Sequence, residues 1–137
     1  MHTPGTLLRE FWDRIAAGRI ESAIELLDPE GVFWSRPVGN VPMRGFIDIL
    51  RGVQTAIPMT FTYYETMEKG DRAFLEMEGH GRCASGEPYN NRYVWRMDMR
   101  NGRIFELREY SDTAYANDVF ARNLPPDTMA VIARWIR

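Results

Sequence analysis

The chain has 137 residues, of which 45% are hydrophobic, 12% aromatic and 26% charged; that is enough apolar surface for one packed core and too much for a disordered chain. Its formal charge of −2 comes from 17 basic and 19 acidic residues with no basic tract, so nucleic acid is not an expected partner. A single cysteine and two histidines exclude an internal disulfide and a structural zinc cluster. No apolar run reaches the roughly 20 residues of a membrane span, and Met1-His2-Thr3-Pro4 lacks the basic and then apolar order of a secretory signal, so a cytoplasmic setting without membrane contact is expected.

In chain order, Leu7, Leu8, Phe11, Trp12 and Ile15 recur at helical spacing between Thr3 or Thr6 and the terminator Gly18. Ile20, Ala23, Ile24 and Leu27 repeat the pattern up to Pro29 and predict a second helix. Val32-Phe33-Trp34 predicts a short strand, Pro37 to Pro42 an irregular passage, and Phe46 to Ala56 a third helix. Four strand-type segments follow, over residues 59–68, 72–83, 89–100 and 103–111, separated by Lys69-Gly70-Asp71, Ser85-Gly86-Glu87-Pro88 and Asn101-Gly102. These separators are turn chemistry, and Asn-Gly is the strongest short hairpin signal, so the expectation is an antiparallel meander. A short helix fits residues 112–122. Leu124-Pro125-Pro126-Asp127 then resets the chain before an amphipathic tail helix ending in Trp135-Ile136, with Pro126 suited to its first turn. Helices first and a meander after make an α+β plan in a single domain spanning residues 1–137.

Strand alternation puts Phe74, Glu76, Glu78 and His80 on one face, and Asn91, Tyr93, Trp95, Met97 and Met99 on one face of the next strand. In the last strand Phe105, Leu107, Glu109 and Ser111 share a side. If the first helix, through Phe11, Trp12 and Ile15, roofs a concave face carrying Tyr93, Trp95, Met97, Phe105 and Leu107, then Glu76, Glu78, His80, Asn91 and Glu109 enter an apolar setting. Carboxyls there require an accessible pocket, shifted pKa values or both, which is what acid–base chemistry uses. A structural role for the same carboxyls, held by Arg82, Asn91 or tyrosine hydroxyls, is the competing reading.

The segments Glu10-Phe11-Trp12-Asp13-Arg14-Ile15-Ala16-Ala17-Gly18, Asp28-Pro29-Glu30-Gly31-Val32-Phe33-Trp34, Gly86 to Tyr93 and Asn101 to Asp112 give the chain its likeness. It resembles the SnoaL-like branch of the nuclear-transport-factor-2-like superfamily, which holds polyketide cyclases, ketosteroid isomerases and limonene epoxide hydrolases. The resemblance implies an α+β cone, a curved antiparallel sheet wrapped round N-terminal helices and a central apolar pocket, usually in a homodimer. The base of the ketosteroid isomerases falls at or next to Ser35, their tyrosine at Phe11 and their protonated acid near Val94, so that machinery is missing here. Limonene epoxide hydrolases carry an Arg-x-Asp pair where this chain reads Glu76-Met77-Glu78, and a further aspartate where Glu109 stands. Carboxylates persist at Glu78 and Glu109, Glu76 replaces the arginine, and Ser35 stands where an asparagine helps to hold water.

The expected function is a cofactor-independent general acid–base enzyme of the isomerase, cyclase, dehydratase or epoxide hydrolase type, acting on an apolar oxygenated small molecule, with no metal. Glu78 and Glu109 are the expected proton-transfer groups, with His80 beside them. Asn91, Tyr93 and His80 are expected to position substrate oxygen, and Glu76 and Ser35 to contact the substrate, against a wall of Trp12, Trp34, Trp95, Phe105 and Leu107. Two other readings stand beside it: a non-catalytic binding protein for a lipid or metabolite, and a scaffold that docks a protein on its outer sheet face. The outward face of the 89–100 strand, with Trp135 and Ile136, is the candidate homodimer surface.

Overall fold

A computed structural model describes residues 2–36 and 38–136. Helix α1, Pro4–Ala16, starts on a capping box in which Thr3 and Thr6 satisfy one another's backbone. Its stripe of Leu7, Leu8, Phe11, Trp12 and Ile15 is buried. Helix α2 is only Ile20–Ile24. The expected continuation to Leu27 gives way because Leu27 opens strand β1, Leu27–Ser35, and pairs there with Ile104. The passage expected to be irregular contains a short strand, β2, Gly39–Pro42, antiparallel to β1; Pro37 lies outside the described residues. Helix α3, Met43–Ala56, leads into β3, Met59–Lys69; β4, Arg72–Arg82; β5, Pro88–Arg100; and β6, Arg103–Ser111. Two further helices, α4 (Thr113–Asn123) and α5 (Pro126–Trp135), close the chain. No helix among the described residues is long and apolar enough to cross a membrane.

The six strands form one sheet in the order β2-β1-β6-β5-β4-β3. The meander β3 to β6 is antiparallel throughout, and its tight turns sit where Gly70, Asn101 and Gly102 take positive φ. The sheet is nonetheless mixed, because β6 returns beside β1 in the same direction. It curls without closing, and α1 and α3 fill its concave side, giving the α+β cone. Leu75, Met77, Trp95, Met97 and Leu107 are sealed beneath them. Each such side chain contributes about 1.5–3 kcal/mol by leaving water.

Two parity expectations are corrected here. In β4 the buried side is Ala73, Leu75, Met77 and Gly79, so Phe74, Glu76, Glu78 and His80 all lie on the convex face. The reason is energetic. Sealing Leu75 and Met77 while three ionisable groups stay in water costs less than the reverse, and Gly79 and Gly81 leave the concave side open for Met59, Ile57 and Tyr93. In β6 the pairing with β5 slips between Asp98 and Met99, so that Ile104 and Leu107 both point inward. Phe105 is thereby turned out, under the Arg100 guanidinium at 3.7 Å.

Helix α5 buries no residue completely, yet it is seated on α3 by shape. Gly45 and Gly52, two helical turns apart, form notches for Trp135 and Thr128 of α5; a Cβ at either glycine would meet its partner at 2.9 Å. Trp135 is therefore packed against α3 and its indole nitrogen is buried, which separates it from the convex sheet face proposed above as a dimer surface.

Candidate functional site

Between the concave sheet and α3, α4 and α5 lies a cavity of about 500 Å³. That is within the range of small-molecule sites. Its inner wall is aromatic. Trp12 of α1 stands 4.6 Å from Trp95 and 5.1 Å from Phe61 between ring centroids, and Tyr93 stacks on Trp95 at 5.5 Å. Phe33 and Phe46 stack at 4.3 Å on the β1–α3 side, and Phe120, Met129 and Ile132 close the side under α4 and α5.

One carboxyl enters this wall among the described residues: Glu109 of β6. It pairs with Trp95 across the sheet, one same-face position from the Tyr93–Ser111 pair. No hydrogen bond or ion pair reaches the carboxyl from the described residues. It keeps some accessible surface because it borders the cavity, but protein surrounds it in depth, and this loss of solvation raises its pKa from 4.5 to about 7. At neutral pH comparable fractions carry and lack the proton, which is the condition for a group that takes up and returns protons.

Beside Glu109 lies a chain of neutral donors on β5. Asn91 Nδ2 donates to Tyr89 Oη at 3.0 Å and to the Asp112 carbonyl at 3.1 Å, and the Tyr89 and Tyr93 hydroxyls are 3.1 Å apart. Burial pushes the Tyr89 phenol up to about 12, against the pull of its bonds to Tyr93 and Asn91; burial likewise raises Tyr93, and the neighbouring Tyr89 and Glu109 add to it. Both phenols therefore keep their protons. Two hydroxyls hold two hydrogens and their mutual bond uses one. The other is left to donate to a guest in the cavity.

The other expected site residues divide cleanly. Trp12, Ser35, Tyr93, Trp95 and Glu109 line the cavity together. Asn91 is buried just behind it, and Leu107 is sealed in the core without reaching the cavity. Trp34 faces the other side of β1 and packs against Tyr110, with the rings tilted and 5.2 Å apart between centroids. Glu78 on the convex face holds Arg92 at 3.0 Å and lies 3.5 Å from His80, whose other ring nitrogen meets Thr62 at 3.0 Å. Glu76 lies on that face too, opposite Val94 and Glu65. Thus Glu76, Glu78, His80, Trp34 and Phe105 do not join the cavity. Sequence reasoning missed Tyr89, Arg36, Gln54, Thr113 and Asn117, all of which border it. Tyr89 shares its parity with Asn91 and Tyr93 and was within reach of the alternation argument. Among the described residues, no group of three His, Cys, Asp or Glu side chains is placed to hold a metal ion.

The SnoaL-like domain family matches residues 8–107. The chain belongs to the SnoaL-like family. The matched stretch ends just before Glu109, so the cavity carboxyl and both closing helices follow it. No curated protein matches this SnoaL-like chain in sequence. Solved structures share its fold. IdmH of Streptomyces antibioticus, proposed to be a polyketide cyclase, is 20% identical over 88% of this chain and 99% of its own, with a TM-score of 0.74. An NTF2-like protein from Burkholderia pseudomallei is 18% identical over 90% and 98%, with a TM-score of 0.72. A limonene-epoxide-hydrolase-like epoxide hydrolase from Mycobacterium tuberculosis is 13% identical over 88% and 91%, with a TM-score of 0.72. At these identities the likeness concerns the fold, and the chemistry has to be argued from the site.

Proposed function

We propose that this SnoaL-like protein is a cofactor-independent acid–base enzyme that moves a proton within an apolar, oxygenated small molecule, as an isomerase or cyclase. The observation that carries this reading is Glu109, a lone carboxyl titrating near 7 in an aromatic cavity. In the ionised form Glu109 takes a proton from a carbon next to a carbonyl. The free phenol hydrogen of the Tyr89–Tyr93 pair donates to the enolate oxygen as charge develops there, and the protonated carboxyl returns its proton at a second carbon. For cyclisation, the enolate carbon attacks a second carbonyl of the same substrate instead, and Glu109 gives its proton to the new alkoxide.

Epoxide opening by paired carboxylates is the less supported branch, because Glu78, the second carboxylate that reaction would use, faces the outside. A homodimer remains part of the proposal. Phe74, Val94 and Tyr110 are 41%, 38% and 44% exposed on the convex face and form the apolar centre such an interface needs.

The test is deuterium wash-in. Apolar ketones such as 2-tetralone, incubated with the protein in D2O, should exchange their α-hydrogens faster than in buffer, and Glu109→Gln should lose the acceleration while keeping its fold. Equal exchange by wild type and Glu109→Gln would overturn the assignment. Thermal stabilisation by the same ketones without exchange would instead identify a binding protein.

A further inference from the structure

Next to the main cavity is a second hollow of about 340 Å³, bounded by Trp34, Arg36, Gly39, Thr113 and Asn117. Three of these, Arg36, Thr113 and Asn117, also border the main cavity, so the two hollows share a polar rim where the end of β1 meets the start of α4. The chemistry changes across that rim. Inside are aromatic and aliphatic walls with one carboxyl; outside are an indole, a guanidinium, a hydroxyl and a primary amide.

Arg36 is the only cationic side chain among the described residues lining either hollow. It is exposed, and no ion pair with another described residue holds it, whereas eight other arginines are tied to carboxylates. The nearest acid in sequence on the α4 side, Asp112, is occupied within its own helix, where its carboxylate accepts from the Tyr115 N–H at 3.0 Å. A guanidinium left free at a rim, with a hydroxyl and an amide beside it, matches an oxyanion in charge and in donor geometry, because its planar fork binds two oxygens at once.

We propose that the ligand of this cavity is an anionic amphiphile: its apolar body fills the aromatic chamber and its negatively charged oxygen head group is held by Arg36 at the rim. This rests on the reading of the cavity as the ligand site, and adds that the substrate carries an acidic group remote from the reacting carbon. Arg36 is then a specificity-determining residue, selecting acids over neutral molecules of the same shape and orienting the body toward Glu109.

Two fluorescent probes with one shared skeleton test this: N-phenyl-1-naphthylamine, which is neutral, and 8-anilinonaphthalene-1-sulfonate, which adds an anionic head. Wild type should bind the sulfonate more tightly than the neutral probe, by a margin that shrinks as salt rises. Arg36→Gln should weaken the sulfonate about tenfold, about 1.4 kcal/mol, and leave the neutral probe unchanged. Arg103→Gln removes the same charge from outside the cavity lining and should change neither. Equal binding of both probes by wild type, or an equal response of both to Arg36→Gln, would overturn the proposal. Failure of wild type to bind either probe would overturn it together with the cavity reading. Glu109→Gln separates the two ideas: loss of deuterium exchange with the sulfonate preference intact supports both, whereas exchange that survives in Glu109→Gln while Arg36→Gln abolishes the preference removes the catalytic assignment and leaves the head-group reading standing.

Discussion

Replacing Glu109 by glutamine keeps the size of the side chain and removes its titration, so it isolates what burial of this carboxyl does to the fold. The folded chain holds the Glu109 proton up to about pH 7, whereas a solvated glutamate releases it near 4.5. Between those values the folded state binds more protons than the unfolded one, so stability from this group is complete below pH 4.5, falls as pH rises through the window and levels off above 7. A rise from 4.5 to about 7, at 1.36 kcal/mol per unit, amounts to about 3 kcal/mol lost by wild type and not by Glu109→Gln. The variant should therefore melt close to wild type at pH 4.5 and about 10 °C above it at pH 8.5, taking about 3 °C per kcal/mol for a domain of this size. Calorimetric scans of both proteins across that range measure the difference directly, since titration of every other group cancels to first order. Melting curves that run parallel from pH 4.5 to 8.5 would mean that the carboxyl is solvated in the folded protein, and the acid–base reading would lose its foundation.

The remaining predictions follow the same geometry. Glu78→Gln removes contacts with Arg92 and His80 on the convex face; stability should shift by less than about 1 kcal/mol, as for exposed ion pairs, and proton exchange on 2-tetralone should be unchanged. Tyr93→Phe leaves the ring stacked on Trp95 but deletes one hydroxyl from the donor chain; kcat should fall about 100–1,000-fold, as for loss of an oxyanion donor, with little change in KM. Gly45→Ala places a methyl against the Trp135 indole at 2.9 Å. The substitution raises helix propensity by about 1 kcal/mol, so hydrogen exchange should slow across α3 while speeding up in α5, which lifts from its notch. Uniform slowing in both helices would show that α5 is not seated by that glycine.

How much of this was legible in the sequence depended on whether the signal was local. The capped stripe of α1 and the Asn101-Gly102 hairpin follow from spacing and turn stereochemistry, which need no partner to be read. The limits of the meander strands are local in the same sense, and so is the separation of Glu109 and Tyr93 from the charged face of their own strands. Alternation states which residues share a side, but it does not say which side is inside. For β5 the contrast of aromatic against charged residues decided that question, and for β6 alternation held from Leu107 onward while Phe105 turned out. For β4 that contrast did not decide it: Phe74 pointed one way and two glycines the other, and the answer came from Met59, Ile57 and Tyr93 occupying the space that Gly79 and Gly81 leave.

Tertiary structure alone decided three things: that Glu76, Glu78 and His80 face water, that a bulge in the β5–β6 pairing turns Phe105 outward, and that β1 and α4 bring Arg36 to the mouth of the cavity. Each depends on partners distant along the chain. The ordering of strands, a register slip and the docking of helices are set by the summed burial of many side chains, and local periodicity holds no record of that sum. The amino-acid order by itself determined an α+β domain with a carboxyl beside tyrosines on a strand face. The fold made that carboxyl a buried one, with no partner among the described residues, and burial raised its pKa to the value on which the proposed chemistry rests.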